Sequence, residues 1–216
     1  MERKALFITF EGPEGAGKST QIALLRDYLA DAGYKVVITR EPGGTPLAED
    51  FRNIVKHYHG SEPLYPATEL LLFEAARVQH INYVIKPALE SGAIVLCDRF
   101  TDSTAAYQGA GRTLNMDFLQ QLNAFAADDC LPDLTLLIDL PVEIGLARAQ
   151  HRAEGVENHN DRLEEEKIDF HHRVRDAYLQ IAENEPQRVK VLDGTLEIAE
   201  LFEQVKSRVT DALQRV

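Results

Sequence analysis

The sequence predicts an α/β fold: a five-stranded parallel sheet covered by helices on both faces, in a three-layer sandwich. Three observations predict it. Apolar runs of strand length alternate with amphipathic helical patterns along the chain. Two of those runs, 93–97 and 134–138, are continuously apolar, as in parallel strands buried on both faces. The first run, Ala5 to Phe10, passes straight into a glycine-rich turn and then into a helical pattern carrying Ile22, Leu25 and Leu29.

That turn, Gly12-Pro13-Glu14-Gly15-Ala16-Gly17-Lys18-Ser19-Thr20, contains G-x-x-x-x-G-K-[ST], the P-loop. Its glycines let backbone N–H groups point inward at a phosphate chain. Lys18 places a charge on the β- and γ-phosphates, and the Ser19 hydroxyl can ligate Mg²⁺. A helix beginning at Lys18 adds the positive end of its dipole.

The remaining elements follow in order. The first helix runs over about 18–32 and stops at Gly33. Residues 35–39 form strand two and run into the turn cluster Arg40-Glu41-Pro42-Gly43-Gly44-Thr45. A helix is expected over 46–58, a loop over 60–66, and a long helix over 67–90 with Leu70, Phe73, Val78, Ile81 and Ile85 apolar. Strand three covers 93–97 and ends at Asp98-Arg99. A polar segment, 101–113, precedes a helix over 116–127 with Asn115 as N-cap. Strand four, 134–138, ends at Asp139. A helix over 143–151 leads into a polar flap, 152–160, and a charged helix over 161–183. Strand five is 189–192, and the last helix carries Ile198, Leu201, Phe202, Val205, Val209 and Leu213 on one face.

One domain spanning 1–216, with a lid at about 148–162, is expected, since no linker or repeat divides the chain. At 216 residues and 44% hydrophobic content, a full-sized core is available. No apolar run reaches the ~18 residues of a membrane span. Met1-Glu2-Arg3-Lys4 enters the first strand too soon for a secretory signal. Cys97 and Cys130 lack metal-type spacing, which points to reduced thiols in a cytoplasmic protein. A formal net charge of −12 excludes a nucleic-acid polymer or anionic membrane as partner, but not a small phosphate compound met by converging arginines.

Ligands on such a sheet sit at the carboxyl ends of the strands. Glu11 to Ser19, Arg40, Asp98-Arg99 and Asp139 therefore meet at one edge. Asp98 is favoured over Asp139 as the Mg²⁺ carboxylate. Arg99 suits an acceptor phosphate, because a guanidinium pairs with phosphate bidentately. Arg148, Arg152 and Arg162 flank the flap and suit transferring phosphates. The seven histidines read as solvated or hydrogen-bonded, and no covalent nucleophile set is evident. D-x-x-G and N-K-x-D do not occur, which argues against a GTP-dependent switch.

Four motifs carry a resemblance over essentially the whole chain: Phe10 to Thr20, Thr39 to Thr45, Leu72-Phe73-Glu74-Ala75-Ala76-Arg77, and Asp98 to Gly109. With these, the chain resembles the thymidylate kinases, P-loop kinases that phosphorylate dTMP with ATP and Mg²⁺. Residues Gly12 to Thr20 and Arg148 then correspond to the ATP site, with Ser19 and Asp98 at the metal. The resemblance implies that Phe73 stacks on thymine and Arg77 bonds the base edge. It further implies that Thr104 and Gln108 complete base recognition and that Tyr107 crowds the sugar 2′ position. Arg99, Glu14, Arg40, Glu41 and Pro42 complete the dTMP site. Lys18, Arg99 and Arg152 would be catalytic, the last as the lid arginine of the bacterial type, because positions 13–16 hold no basic residue. A homodimer through helix faces is also implied. The competing reading is an adenylate, guanylate or deoxynucleoside kinase.

Overall fold

The computed structural model describes residues 5–153 and 162–215, with 152 and 153 described by backbone alone. Five strands, β1 (Leu6–Glu11), β2 (Val36–Arg40), β3 (Ile94–Asp98), β4 (Leu134–Asp139) and β5 (Val189–Asp193), form one sheet in the order β2-β3-β1-β4-β5. All pairings are parallel. This is the expected fold class.

Alternation along β1 shows how the sequence builds the layers. Ile8 and Phe10 point to one face and pack under α1 (Lys18–Asp31) and α9 (Ile198–Arg215), through Leu25, Leu29, Leu201, Val205 and Val209. Phe7 points to the other face, against Ile81, Ile85, Val95 and Phe100. On that second face Thr9 shares a 2.7 Å hydrogen bond with Thr135 of β4, so the one polar pair in the strand is satisfied internally.

Helices α2 (Pro46–His57) and α6 (Met116–Ala127) start as their sequences dictate. Thr45 Oγ1 accepts from Ala48 N–H at 3.2 Å, and Asn115 Oδ1 accepts from Phe118 N–H at 2.9 Å.

Four expectations need correcting. The helix over 67–90 is three pieces: α3 (Pro66–His80), a π-helical stretch Ile81–Ile85, and α4 (Lys86–Glu90). Pro87 supplies the reason. It has no N–H, and its ring would strike the carbonyl four residues back in a regular α-turn. The polar segment 101–113 is largely helical, as α5 (Thr101–Thr104) and a π-helical stretch Ala105–Gly111, and most of it is buried. Helix α7 (Val142–Ala153) runs two residues past its expected end. The helix expected over 161–183 is α8 (Ile168–Asn184). Residues 162–166 turn instead, because Arg162 N–H bonds the carbonyl of Lys56 at 3.1 Å and ties that segment to the end of α2. The rest of the expected flap, 154–161, lies outside the described residues.

One close approach fixes the P-loop against α7, the helix that follows the neighbouring strand β4. A Cβ on Gly15 would fall 2.1 Å from the carbonyl oxygen of Gly145, and one on Gly145 would fall 2.4 Å from that of Glu14. Two glycines let α7 touch the loop backbone directly. Helix α7 therefore leads from the P-loop toward residue 152, about 10 Å further along its axis at ~1.5 Å per residue.

Candidate active site

The carboxyl ends of β1, β2 and β3 open into a cavity of about 390 Å³. Its walls hold Glu14 to Thr20 from the P-loop, Arg40, Glu41 and Pro42 after β2, Asp98 and Arg99 after β3, and Phe73, Tyr107 and Gln108. These are residues the sequence singled out. Gly12 and Pro13 serve from behind: their carbonyls accept from Lys18 Nζ at 3.1 and 3.0 Å. Burial, and then Arg99, push the Lys18 ammonium down to about 8, against the pull of Asp98, Glu14 and Glu11.

Arg99 organises the phosphate-binding part. It sits at φ +71°, a left-handed conformation costly for a side chain with a Cβ, so its surroundings must impose it. They do. Arg99 Nη2 donates to Glu14 Oε1 at 2.7 Å and to the Tyr107 hydroxyl at 3.0 Å. Arg99 Nη1 donates to Gly12 O and to the Tyr178 hydroxyl, both at 3.1 Å, and more weakly to Ser103 Oγ. The guanidinium also lies 4.8 Å from the centroid of the Tyr107 ring. Burial alone would raise the Glu14 carboxyl, but Arg99, then Lys18 and Lys56, pull it down to about 2.

Glu11 anchors that turn. Fully buried at the end of β1, it accepts from Phe100 N–H at 2.7 Å, from Ser103 Oγ at 2.5 Å and from Tyr178 OH at 2.9 Å. Burial and the nearby Asp102 push its carboxyl up to about 7, against Ser103, Arg99 and the Phe100 N–H.

Ser19 Oγ donates to Asp98 Oδ2 at 3.1 Å. Asp98 Oδ1 is buried with no hydrogen-bond partner among the described residues. Asp139, the other strand-end aspartate, is taken by Arg175, which donates to both its oxygens at 2.7 and 2.8 Å.

Arg77 is buried behind the cavity wall, over the Phe100 ring. It donates to Glu41, Glu74, Asn123 and Thr104, each at 2.8 Å. A guanidinium has five N–H groups, so one on Nη2 remains among the described residues. Thr104 thus meets Arg77 rather than the cavity. Glu41 is shared between Arg77 and His80. Gln108 is buried and donates from Nε2 to Glu69 at 2.9 Å, while its Oε1 has no partner among the described residues.

The flap arginines separate. Arg148 donates to Gly194 O at 3.0 Å. Arg162 donates to Val55 O at 2.6 Å and to Glu69 at 3.3 Å. The side chain of Arg152, at the end of α7, lies outside the described residues. Sequence reasoning missed Arg52, Lys56, Ser103, Leu163 and Glu164, all of which line the cavity. A four-residue spacing puts Arg52 and Lys56 on one face of α2, but only the docked helix shows which way that face turns.

A strand–glycine loop–helix donor site, sharing one cavity with a second, aromatic and arginine-bearing pocket, defines a P-loop nucleotide kinase. Comparison with known proteins narrows the class. The family model described as thymidylate kinase matches residues 10–205. A thymidylate kinase of Thermomicrobium roseum is 51% identical over 209 residues, covering 97% of this chain and 96% of the relative. Another, of Geobacter sulfurreducens, is 53% identical over 189 residues, 87% of this chain and 88% of the relative. The crystal structure of thymidylate kinase from Ehrlichia chaffeensis superposes with a TM-score of 0.76 at 36% identity, covering 96% of this chain and 99% of that one. The chain belongs to the thymidylate kinase family.

Lys18 yields a proton-linkage prediction. With its ammonium at about 8 in the free protein, a bound triphosphate restores the ordinary higher value. Nucleotide binding at pH 8 should therefore take up roughly half a proton. Calorimetry in buffers of different ionisation heat measures the uptake. Lys18→Met should abolish it, and an uptake that survives the substitution places the titrating group elsewhere.

Proposed function

We propose that the protein transfers the γ-phosphoryl group of ATP to dTMP, giving dTDP and ADP, a step of dTTP synthesis. One observation carries the choice of base. Gln108 Oε1 is a buried acceptor without a partner among the described residues, on a side chain that lines the cavity with the Phe73 ring, and Arg77, behind the wall, keeps one N–H. That pair complements a base presenting an N–H next to a carbonyl oxygen, as thymine does at N3 and O4. Stacking on Phe73 adds about 1–3 kcal/mol. Family membership supports the same reading.

In this reading the acceptor phosphate meets Arg99, which shares its guanidinium between Glu14 and the incoming oxygens, with Arg40, Glu41 and Pro42 on the flank. Tyr107, held by Glu14 and Arg99, fills the space a ribose 2′-hydroxyl would need. The donor phosphates lie on the P-loop amides with Lys18 beside them, and we assign to the ATP Arg148 of α7, three residues past Gly145, whose guanidinium rests on the Gly194 carbonyl. The attacking phosphate oxygen is already ionised, so no general base is needed. Catalysis is positioning and charge stabilisation. Ser19 Oγ and the unpartnered Asp98 Oδ1 suit Mg²⁺, a hard cation bound by few protein oxygens and several waters. When bound, Mg²⁺ supplies charge neutralisation on the β- and γ-phosphates.

Among the described residues no helix is long and apolar enough to cross a membrane. Both described cysteines are buried and unbridged, which fits the cytoplasm. Leu71 and Val78 on α3, and Phe118 and Phe125 on α6, are exposed at seven-residue spacing, so each pair shares a helix face. We assign this surface to a homodimer. Sedimentation at micromolar concentration should give a dimer that Phe125→Glu dissociates; a monomeric unaltered protein ends that assignment.

An acceptor panel with ATP and Mg²⁺ tests the activity. dTMP should be phosphorylated far faster than AMP, GMP, CMP or UMP in a coupled ADP-release assay. Preference for any ribonucleotide refutes the reading.

Arg152 is the proposed lid cation. Positions 13–16 supply no second positive charge, and Arg162 is held on Val55 and Glu69. Arginines in this role contribute about 10³–10⁵ in turnover. Arg152→Ala should lower kcat at least about a hundredfold, allowing for partial rescue by Arg148, with dTMP affinity retained. Collapse of dTMP affinity at constant kcat would make Arg152 a ground-state ligand, and no change in either would move the role to Arg148.

A further inference from the structure

We propose that Glu69, held between Arg112 and Arg162, locks the side-chain amide of Gln108 with its oxygen toward the base. The lock makes the acceptor site reject bases that present a lone pair where thymine presents N3–H. The proposal rests on the dTMP reading above and adds the residue that sets its selectivity.

The two ends of a glutamine amide are nearly identical in shape and opposite in hydrogen-bonding sense. A half-turn of the group exchanges donor for acceptor. At Gln108 the neighbour decides. Nε2 donates to Glu69 Oε1 at 2.9 Å, and a carboxylate only accepts. The flipped amide would set two acceptors against each other in a site where both residues are fully buried. Oε1 is therefore committed to the other side, where it lacks any partner among the described residues and Gln108 lines the cavity.

Glu69 itself cannot turn away. Arg112 holds both its oxygens, Nε to Oε1 and Nη2 to Oε2, each at 3.1 Å. Arg162 adds a contact to Oε2 at 3.3 Å. Arg112 is fixed in turn by an ion pair with Glu166 and by the Phe170 ring, 5.0 Å from its guanidinium carbon. Arg162 is fixed by the carbonyl of Val55. Glu69 also lies one helical turn before Phe73 on α3, so the lock and the stacking ring share a helix face. The arginine first read as a candidate for the phosphates thus serves the base.

Cytosine presents a lone pair at N3. Against a locked Oε1 it faces acceptor with acceptor. With Glu69→Gln, both neighbours are amides, and Gln108 can turn its N–H toward the base. The dTMP:dCMP ratio of kcat/KM should then narrow by about tenfold or more, the scale of one mis-set base contact. The dTMP:dUMP ratio should hold, because uracil and thymine share N3–H and O4. A merely structural role would depress all three substrates together and leave both ratios unmoved. Arg112→Gln, at a partly exposed position, frees Glu69 and should narrow the dTMP:dCMP ratio in the same direction; it decides the matter if Glu69→Gln does not fold. An unchanged dTMP:dCMP ratio in a folded variant overturns the lock. If the unaltered protein fails to phosphorylate dTMP, the underlying reading fails instead.

Discussion

The structure turns on a buried guanidinium. Arg99 stands at the end of β3, in a left-handed conformation, surrounded by protein acceptors. A buried charge is tolerated only when paired and hydrogen-bonded, since removing one partner leaves the other stranded. The surroundings satisfy this from separate parts of the chain: Glu14 and Gly12 from the P-loop, Tyr107 from the π-helical stretch, and Tyr178 from α8. Glu11 then binds Ser103 and Tyr178 through their hydroxyl protons, so both oxygens are left to accept from Arg99. The donor loop and the acceptor pocket are thereby tied to one cation at the centre of the sheet.

The proposed base pocket repeats the device. Glu41 and Glu74 orient Arg77, and Glu69 orients Gln108. At Gln108 an acceptor-only carboxylate behind the wall fixes which atom faces the cavity, and at Arg77 two carboxylates, Glu41 of the wall itself and Glu74, fix which N–H remains. Such groups are costly to bury: Glu41 and Glu69 meet donors at both oxygens, while Glu74 Oε1 has no partner among the described residues. A site built this way is preorganised: the ligand meets hydrogen-bonding atoms whose direction is already set.

Much of this was legible in the sequence, and what was not has a physical reason. The sheet was readable because period-2 alternation and continuous apolar runs are local signals, and the P-loop because its spacing is itself the mechanism. The cavity residues within motifs, such as Phe73, Tyr107 and Gln108, came with the resemblance. The π-helical stretches were not readable. The first is set by Pro87, whose effect on a helix depends on whether tertiary packing holds the chain helical past it. The second is a polar-looking segment that becomes buried only when α8 packs over it. The carboxylates behind the wall were also missed. Glu69 and Glu74 are charged positions five residues apart on α3 and look like solvent-facing residues. Only the docking of Arg112, Arg162 and Asn123 from distant elements makes them interior.

A net charge of −12 stands against the handling of anions on both substrates. The resolution is local. Lys18, Arg40, Arg52, Lys56 and Arg99 line one cavity with Glu14, Glu41, Asp98 and Glu164, five cations against four carboxylates, so the site itself carries no share of the acidic excess. The acidic remainder lies across water and salt, where charges beyond about 8–10 Å are screened. The depressed Lys18 ammonium reflects the same crowding: burial and the neighbouring Arg99 make its charge costly until a phosphate arrives. Polyanion binding relieves that cost. The rest of the surface repels longer anionic polymers, so the charge pattern favours a small phosphate ligand that fits inside the cavity over a large one that would have to lie across the outside.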